Sequence, residues 1–249
     1  MRENKYDDGE FFRQYSGMSR SVDGLASAGE WPELKKLLPP FKDKTVLDIG
    51  CGFGWHCAYA VEHGAAWVLG CDISEKMLDV AKVKNASPRI EYHLLAMEDM
   101  NFPARSFDVV ISSLAFHYTP DFDLICRKIH NFLSPGGNFV FSAEHPVFTS
   151  QGHQDWIYDA DGRPLHWPVD DYFKEGRREA GFLGTKVVKY HRTISTYISS
   201  LLTNGFQIEA VVEPKPDRHM LKNIPGMEDE LRRPMMILIS ARKVEANNT

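Results

Sequence analysis

Three glycines at alternate positions, Gly50, Gly52 and Gly54, follow the apolar run Val46-Leu47-Asp48-Ile49. A strand that runs into such a turn lets the backbone approach a bound molecule, because glycine adopts positive φ and has no side chain to hold a ligand away. In open α/β sheets, ligands bind in the crevice at the carboxyl ends of the strands. The spacing here is G-x-G-x-G. A dinucleotide fingerprint needs G-x-G-x-x-G, and its third glycine would fall on Trp55. Asp48 stands two residues before Gly50, where a carboxylate repels a pyrophosphate but tolerates a cation. The pattern therefore points to a nucleoside carrying a sulfonium and an ammonium rather than to a nicotinamide dinucleotide. Asp72 ends the next apolar run, about twenty residues past the turn, where an acid in a doubly wound fold accepts hydrogen bonds from ribose hydroxyls.

Proton transfer has three candidates, each placed at or beyond a predicted strand end. His117 lies in Ser113-Leu114-Ala115-Phe116-His117-Tyr118, His145 follows Glu144, and His191 lies in Lys189-Tyr190-His191-Arg192-Thr193. Each could serve as a general base or line an acceptor pocket. Trp156, Tyr158, Trp167, Tyr172 and Phe173 could wall that pocket for a planar, apolar or cationic acceptor, or form a small core of their own. Arg177, Arg178, Arg192, Arg232 and Arg233 could meet an anion or stay solvated. Cys51, Cys57, Cys71 and Cys126 form no CxxC pair and no zinc-ligand spacing, so no metal site is expected, and the thiols read as reduced.

These residues need elements to hold them. The prediction is a helical segment over 1–40, closed by Pro39-Pro40, and strands at Thr45–Ile49, Ala66–Cys71, Ile90–Leu95, Phe107–Ser112 and Asn138–Ala143. Helices are expected at Trp55 to His63, after the Ser74 cap, and over Leu124–Leu133, the last ended by the turn Ser134-Pro135-Gly136-Gly137. Residues 146–190 keep no period and are too long for a simple loop, so an inserted cap or substrate segment is expected there. A helix over Ser195–Thr203 and strands at Phe206–Val212 and Met235–Ala241 complete a core resumed over 191–243. Alternating strand and helix patterns make 41–145 a doubly wound α/β core with helices on both faces.

The 249 residues carry 29 Lys and Arg against 34 Asp and Glu, a net charge of −5, with 43% hydrophobic residues. That balance fits a folded globular chain and argues against nucleic-acid binding, whose affinity comes from clustered basic residues. The sequence has no apolar run long enough for a membrane span and no apolar leader, so a cytoplasmic protein, monomeric or homodimeric, is expected.

Taken together, the motifs resemble those of the class I S-adenosylmethionine-dependent methyltransferases. Val46–Gly54 is similar to their first motif, Gly70-Cys71-Asp72-Ile73-Ser74-Glu75-Lys76-Met77-Leu78 to their ribose segment, and Phe107-Asp108-Val109-Val110 and Leu133-Ser134-Pro135-Gly136-Gly137 to later ones. The order is the family's, and the resemblance lies nearest the type 11, UbiE-like small-molecule branch. It implies a Rossmann-like sheet of seven strands, the last antiparallel. It also implies S-adenosylmethionine as donor, S-adenosylhomocysteine as product, and a small-molecule methyl acceptor. Gly50, Gly52 and Gly54 would admit the methionine moiety, with Asp48 near its ammonium. Asp72 would hold the ribose, and Ile73 would pack on adenine. The acid usual after the third strand is replaced by Ala96, so Met97 and Glu98 are the expected adenine edge. Ser112 and Ser113 would sit by the methionine end, and Tyr15 would close over it. Cys51 and Met77 complete the expected donor contacts. Other functions compete with this one: a nicotinamide-dependent oxidoreductase, a non-catalytic cofactor-binding protein, and a methyltransferase acting on a macromolecule, for which the absence of a basic stripe favours protein over RNA or DNA.

Overall fold

The protein is described by a computed structural model over residues 4–244. Helices α1 (Gly9–Ser16), α2 (Ser19–Val22) and α3 (Trp31–Leu37) precede strand β1 (Thr45–Ile49). Then follow α4 (Trp55–Glu62), β2 (Trp67–Asp72), α5 (Glu75–Lys84), β3 (Ile90–Leu94), β4 (Phe107–Ser113), α6 (Phe122–Phe132) and β5 (Leu133–Glu144). After β5 come α7 (Pro146–Thr149) and two hairpins, β6 (Ile157–Tyr158) with β7 (Pro164–His166) and β8 (Gly176–Phe182) with β9 (Thr185–His191). Next are α8 (Ile194–Thr203), β10 (Phe206–Val212), α9 (Arg218–Asn223) and β11 (Met236–Lys243).

Seven strands form one sheet in the order β10-β11-β5-β4-β1-β2-β3. β1 pairs in parallel with both β2 and β4, whereas β11 runs antiparallel to β5 and β10. The chain leaves β1 toward β2 and β3 and then crosses to β4 on the other side. That reversal opens a crevice at the carboxyl ends of β1 and β4.

Strand alternation builds two cores. Leu47, Ile49, Leu69, Val110, Phe139 and Phe141 face α6 and α8, while Val46, Val68, Val109 and Ile111 face α4 and α5. Helix α6 shows why the helices form where they do. Asp121 caps it by accepting from Leu124 N at 2.9 Å, and Phe122, Ile125, Cys126, Ile129 and Phe132 recur on one buried stripe. Each such side chain contributes about 1.5–3 kcal/mol on full burial.

The turn expected at residues 134–137 lies inside β5. Phe107 pairs with Leu133 and Val109 with Asn138, so the extra residues bulge out between two paired stretches, with Gly136 at φ +70°. The aperiodic stretch 146–190 is α7 and the two hairpins, and its last strand ends at His191. A second inserted segment, between β10 and β11, carries α9 and was not foreseen. Among the described residues, no helix is long and apolar enough to cross a membrane.

Candidate functional site

The carboxyl ends of β1, β2 and β4 open into a cavity of about 1160 Å³. The glycine turn forms its floor. Gly50 has φ +70° and would place a Cβ 2.6 Å from that of Ala115, so no larger residue fits. Gly52 has φ +52° and faces open space, with nothing within 4 Å of where its Cβ would be. A ligand can therefore reach the backbone there.

Asp72 is fixed by two backbone donors. Gly52 N donates to its Oδ2 at 2.8 Å and Ser74 N to its Oδ1 at 2.9 Å. Burial raises its pKa, and these hydrogen bonds offset part of that rise. Each oxygen keeps a lone pair for a ligand hydroxyl. Ile73, Met77, Met97 and Glu98 line the wall next to it. The glycine floor, the held carboxylate and the apolar side wall together suit an adenosyl group.

The N-terminal segment covers this end. Ser74 Oγ and Lys76 N donate to Asp7 Oδ1 at 2.6 and 3.2 Å, and Asn4 Nδ2 donates to the Ile73 carbonyl at 3.0 Å. Tyr6 and Tyr15 meet edge to face at 5.1 Å, and the Tyr6 hydroxyl lies 3.0 Å from that of Tyr118. Tyr6, Tyr15 and Tyr118 all line the cavity. Nearer β4, Arg20 Nη2 donates to Glu30 Oε1 at 2.9 Å, and Ser113 Oγ donates to the same oxygen at 3.1 Å.

The far end holds a polar cluster. Lys189, only 3% exposed, donates to Glu144 Oε1 at 2.5 Å and to Gln154 Oε1 at 2.9 Å, and Gln154 Nε2 donates to Glu144 Oε2 at 2.8 Å. Burial alone would raise the pKa of Glu144. His117, Lys189 and the hydrogen bonds outweigh it and hold the carboxyl below its usual range. His117 lies beside this cluster, and burial pushes its pKa down to about 4, so the ring is neutral at pH 7.

Of the expected site residues, Tyr15, Gly50, Gly52, Asp72, Ile73, Met77, Met97, Glu98, Ser113 and His117 line the cavity. The others lie behind its wall. Asp48 is 1% exposed and accepts from the Cys57 thiol at 3.2 Å, and burial pushes its pKa up to about 7. It faces α4 rather than lining the cavity, and its Oδ1 has no hydrogen-bond partner among the described residues. Cys51 is buried beneath the turn, and Gly54 backs onto Tyr92 as the left-handed cap of α4. Ser112 donates to the Ile49 carbonyl at 2.7 Å and so ties β4 to β1. His145 is buried, accepts from Val147 N at 3.0 Å and has Nε2 2.9 Å from Glu213. His191 uses both ring nitrogens, with Thr149 Oγ1 at 2.8 Å and the Tyr172 carbonyl at 2.9 Å. These two histidines are held as structural pins away from the cavity.

The cap aromatics do not wall the cavity either. Trp167 stacks on Phe148 at 5.0 Å and meets Trp156 at 5.4 Å, while Arg233 lies 4.1 Å over Trp167 and Arg232 4.6 Å over Trp156. Phe173 is 89% exposed. Arg192 donates to the Phe116 and Thr119 carbonyls, so only Arg177 of the five arginines borders the cavity. Apolar lining comes instead from Met220, Met227 and Met235 of the second inserted segment and from Met236 at the start of β11. A signal for it stood in the sequence: prolines 214, 216 and 225 and several methionines fill a connection too long for a hairpin.

Comparison with known proteins places these features. The Methyltransferase domain family matches residues 47–141. The solved structure of an S-adenosylmethionine-dependent methyltransferase from Mesorhizobium loti is 44% identical and superposes with a TM-score of 0.81, covering 88% of this chain and 100% of that one. A Listeria monocytogenes structure assigned to the same class is 58% identical, with a TM-score of 0.85, over 89% of this chain and 100% of that one. A Haemophilus influenzae protein without an assigned role is 36% identical over 96% of this chain and 97% of its own. Other relatives are matched over less than half their length. A tRNA U34 carboxymethyltransferase from Hahella chejuensis is 35% identical over 64% of this chain and 45% of its own. A ubiquinone biosynthesis O-methyltransferase from Mesorhizobium japonicum is 34% identical over 39% and 40%. With the glycine floor and the antiparallel last strand in place, the chain belongs to the S-adenosylmethionine-dependent methyltransferases.

Proposed function

We propose that the protein moves a methyl group onto a small-molecule acceptor enclosed in the same cavity as the donor. The observation that carries this reading is the size of the cavity. At about 1160 Å³ it exceeds the ~300–1,000 Å³ of a site for one ligand. Its donor end is the group around Gly52 and Asp72. The rest of its lining includes Met220, Met227, Met235 and Met236 together with Phe182. Thioether and aromatic walls favour an apolar acceptor and adapt to irregular outlines.

When bound, S-adenosylmethionine supplies a methyl group on a positively charged sulfur, open to in-line displacement. The chain's part is to hold donor and acceptor at attack distance, which is worth up to ~7–11 kcal/mol in the best cases. The N-terminal segment and the inserted segments exclude water. His117, neutral at pH 7, accepts from Glu144 N at Nδ1, so its Nε2 carries the proton and orients the acceptor by donating a hydrogen bond to it. Glu144 is already committed to Lys189 and Gln154, so it sets the charge beside His117 and does not itself take the proton.

The G-x-G-x-G spacing and the family together set aside the nicotinamide oxidoreductase. The test uses the whole chain with S-adenosylmethionine and a panel of phenols, amines and thiols, read as S-adenosylhomocysteine formed. Turnover on apolar members of the panel is the expected result. Product from tRNA alone overturns the small-molecule reading, and no turnover on any acceptor leaves the non-catalytic reading in its place.

A further inference from the structure

Asp48 does not line the cavity, and the donor's amino-acid end carries a carboxylate and an ammonium that need partners. Opposite charges stand where that end must lie. β1 and β4 are in register at Asp48 and Ile111, so Gly50 and Ser113 leave their strands side by side. The 2.6 Å approach of a Gly50 Cβ to Ala115 confirms the closeness of the two strand ends. Ser113 holds Glu30, and Glu30 holds Arg20, all three bordering the cavity. Asp72 marks the ribose end. Tyr15 lines the same cavity, and its phenol interacts electrostatically with Arg20, Asp72 and Glu30.

Both ionic side chains have unused capacity. Among the described residues, Arg20 makes one hydrogen bond to a carboxylate, out of the five donors of a guanidinium. Glu30 is 1% exposed, and its Oε2 has no partner among the described residues. A buried carboxylate oxygen left unpaired is costly, and a cation beside it removes that cost. The guanidinium fork matches a carboxylate in a way that a lysine does not.

We propose that Arg20 and Glu30 form the subsite for the amino-acid end of S-adenosylmethionine, Arg20 taking the α-carboxylate and Glu30 the α-ammonium. The subsite comes from the N-terminal segment, outside the glycine turn and outside residues 47–141. It concerns the donor alone and stands whatever the acceptor.

The test is calorimetry on the full chain with S-adenosylmethionine, its decarboxylated form, S-adenosylhomocysteine and 5′-methylthioadenosine. The last keeps the adenosine and sulfur and lacks the amino acid. The wild-type chain is expected to bind the decarboxylated form at least tenfold more weakly than S-adenosylmethionine. Arg20→Met and Glu30→Gln are each expected to weaken S-adenosylhomocysteine at least tenfold and to leave 5′-methylthioadenosine within twofold. Equal losses for both ligands mark a merely structural pair and overturn the proposal, as does no loss for either. If a variant fails to fold, the wild-type comparison decides: equal affinity for S-adenosylmethionine and its decarboxylated form refutes the subsite.

Discussion

Asp72 uses each carboxylate oxygen on a different backbone donor, Oδ2 on Gly52 and Oδ1 on Ser74. Asparagine at this position offers one acceptor and one donor, so its amide nitrogen must face one of those N–H groups. That donor loses its partner, at about 1–3 kcal/mol of stability. The ribose separately loses a charged acceptor, and hydrogen bonds to charged groups contribute about 1.5–3 kcal/mol. Asp72→Asn should therefore weaken S-adenosylhomocysteine by ~10–150-fold, and Asp72→Ala, which removes both acceptors, by at least as much. Titration calorimetry reads the affinity, and thermal unfolding without ligand reads the stability loss. An unchanged affinity in a folded Asp72→Ala chain refutes the ribose assignment.

Other substitutions separate the remaining roles. With its pKa near 7, folded Asp48 keeps a proton that the unfolded chain has released between pH ~4 and ~7. The Asp48 contribution to stability therefore falls with rising pH across that window, by about 1.4 kcal/mol per unit. Relative to wild type, Asp48→Asn should gain over the same window and level off above it, and a constant difference in denaturant titrations contradicts the assignment. Gly50→Ala meets Ala115 and should destabilise by about 1–3 kcal/mol in thermal unfolding. Gly52→Ala has no such clash and should fold but bind S-adenosylhomocysteine at least tenfold more weakly, because its methyl enters the donor space. His117→Gln should lower turnover at least tenfold with S-adenosylhomocysteine affinity kept. His191→Gln should lower the melting temperature and leave the specific activity of the folded chain unchanged. The reverse pattern moves the acceptor site toward His191.

The donor end was readable because its signals are local. The apolar run, the alternate glycines and Asp72 lie within one strand–turn–helix–strand stretch, and strand parity and turn chemistry act over a few residues. Parity also holds the correction for Asp48. Its neighbours Leu47 and Ile49 face α6, so Asp48 must face α4 and Cys57. The rest depends on groups distant in the chain. Arg20, Glu30 and Ser113 are joined by the N-terminal segment folding back on β4, and Lys189 reaches Glu144 through a hairpin whose short polar strands show little periodicity. The cap aromatics were ambiguous for the same reason. Trp156 and Trp167 find Arg232 and Arg233 from the second inserted segment, a partnership that no single stretch of sequence displays.

The two inserted segments hang from one half of the sheet, after β5 and between β10 and β11, whereas the glycine floor and Asp72 belong to the parallel half. Their mutual grip, arginine against tryptophan, joins them into one unit that adds no strand to the run β4-β1-β2-β3. Under the proposed function, the choice of acceptor therefore rests with one side of the molecule and the grip on the donor's ribose with the other.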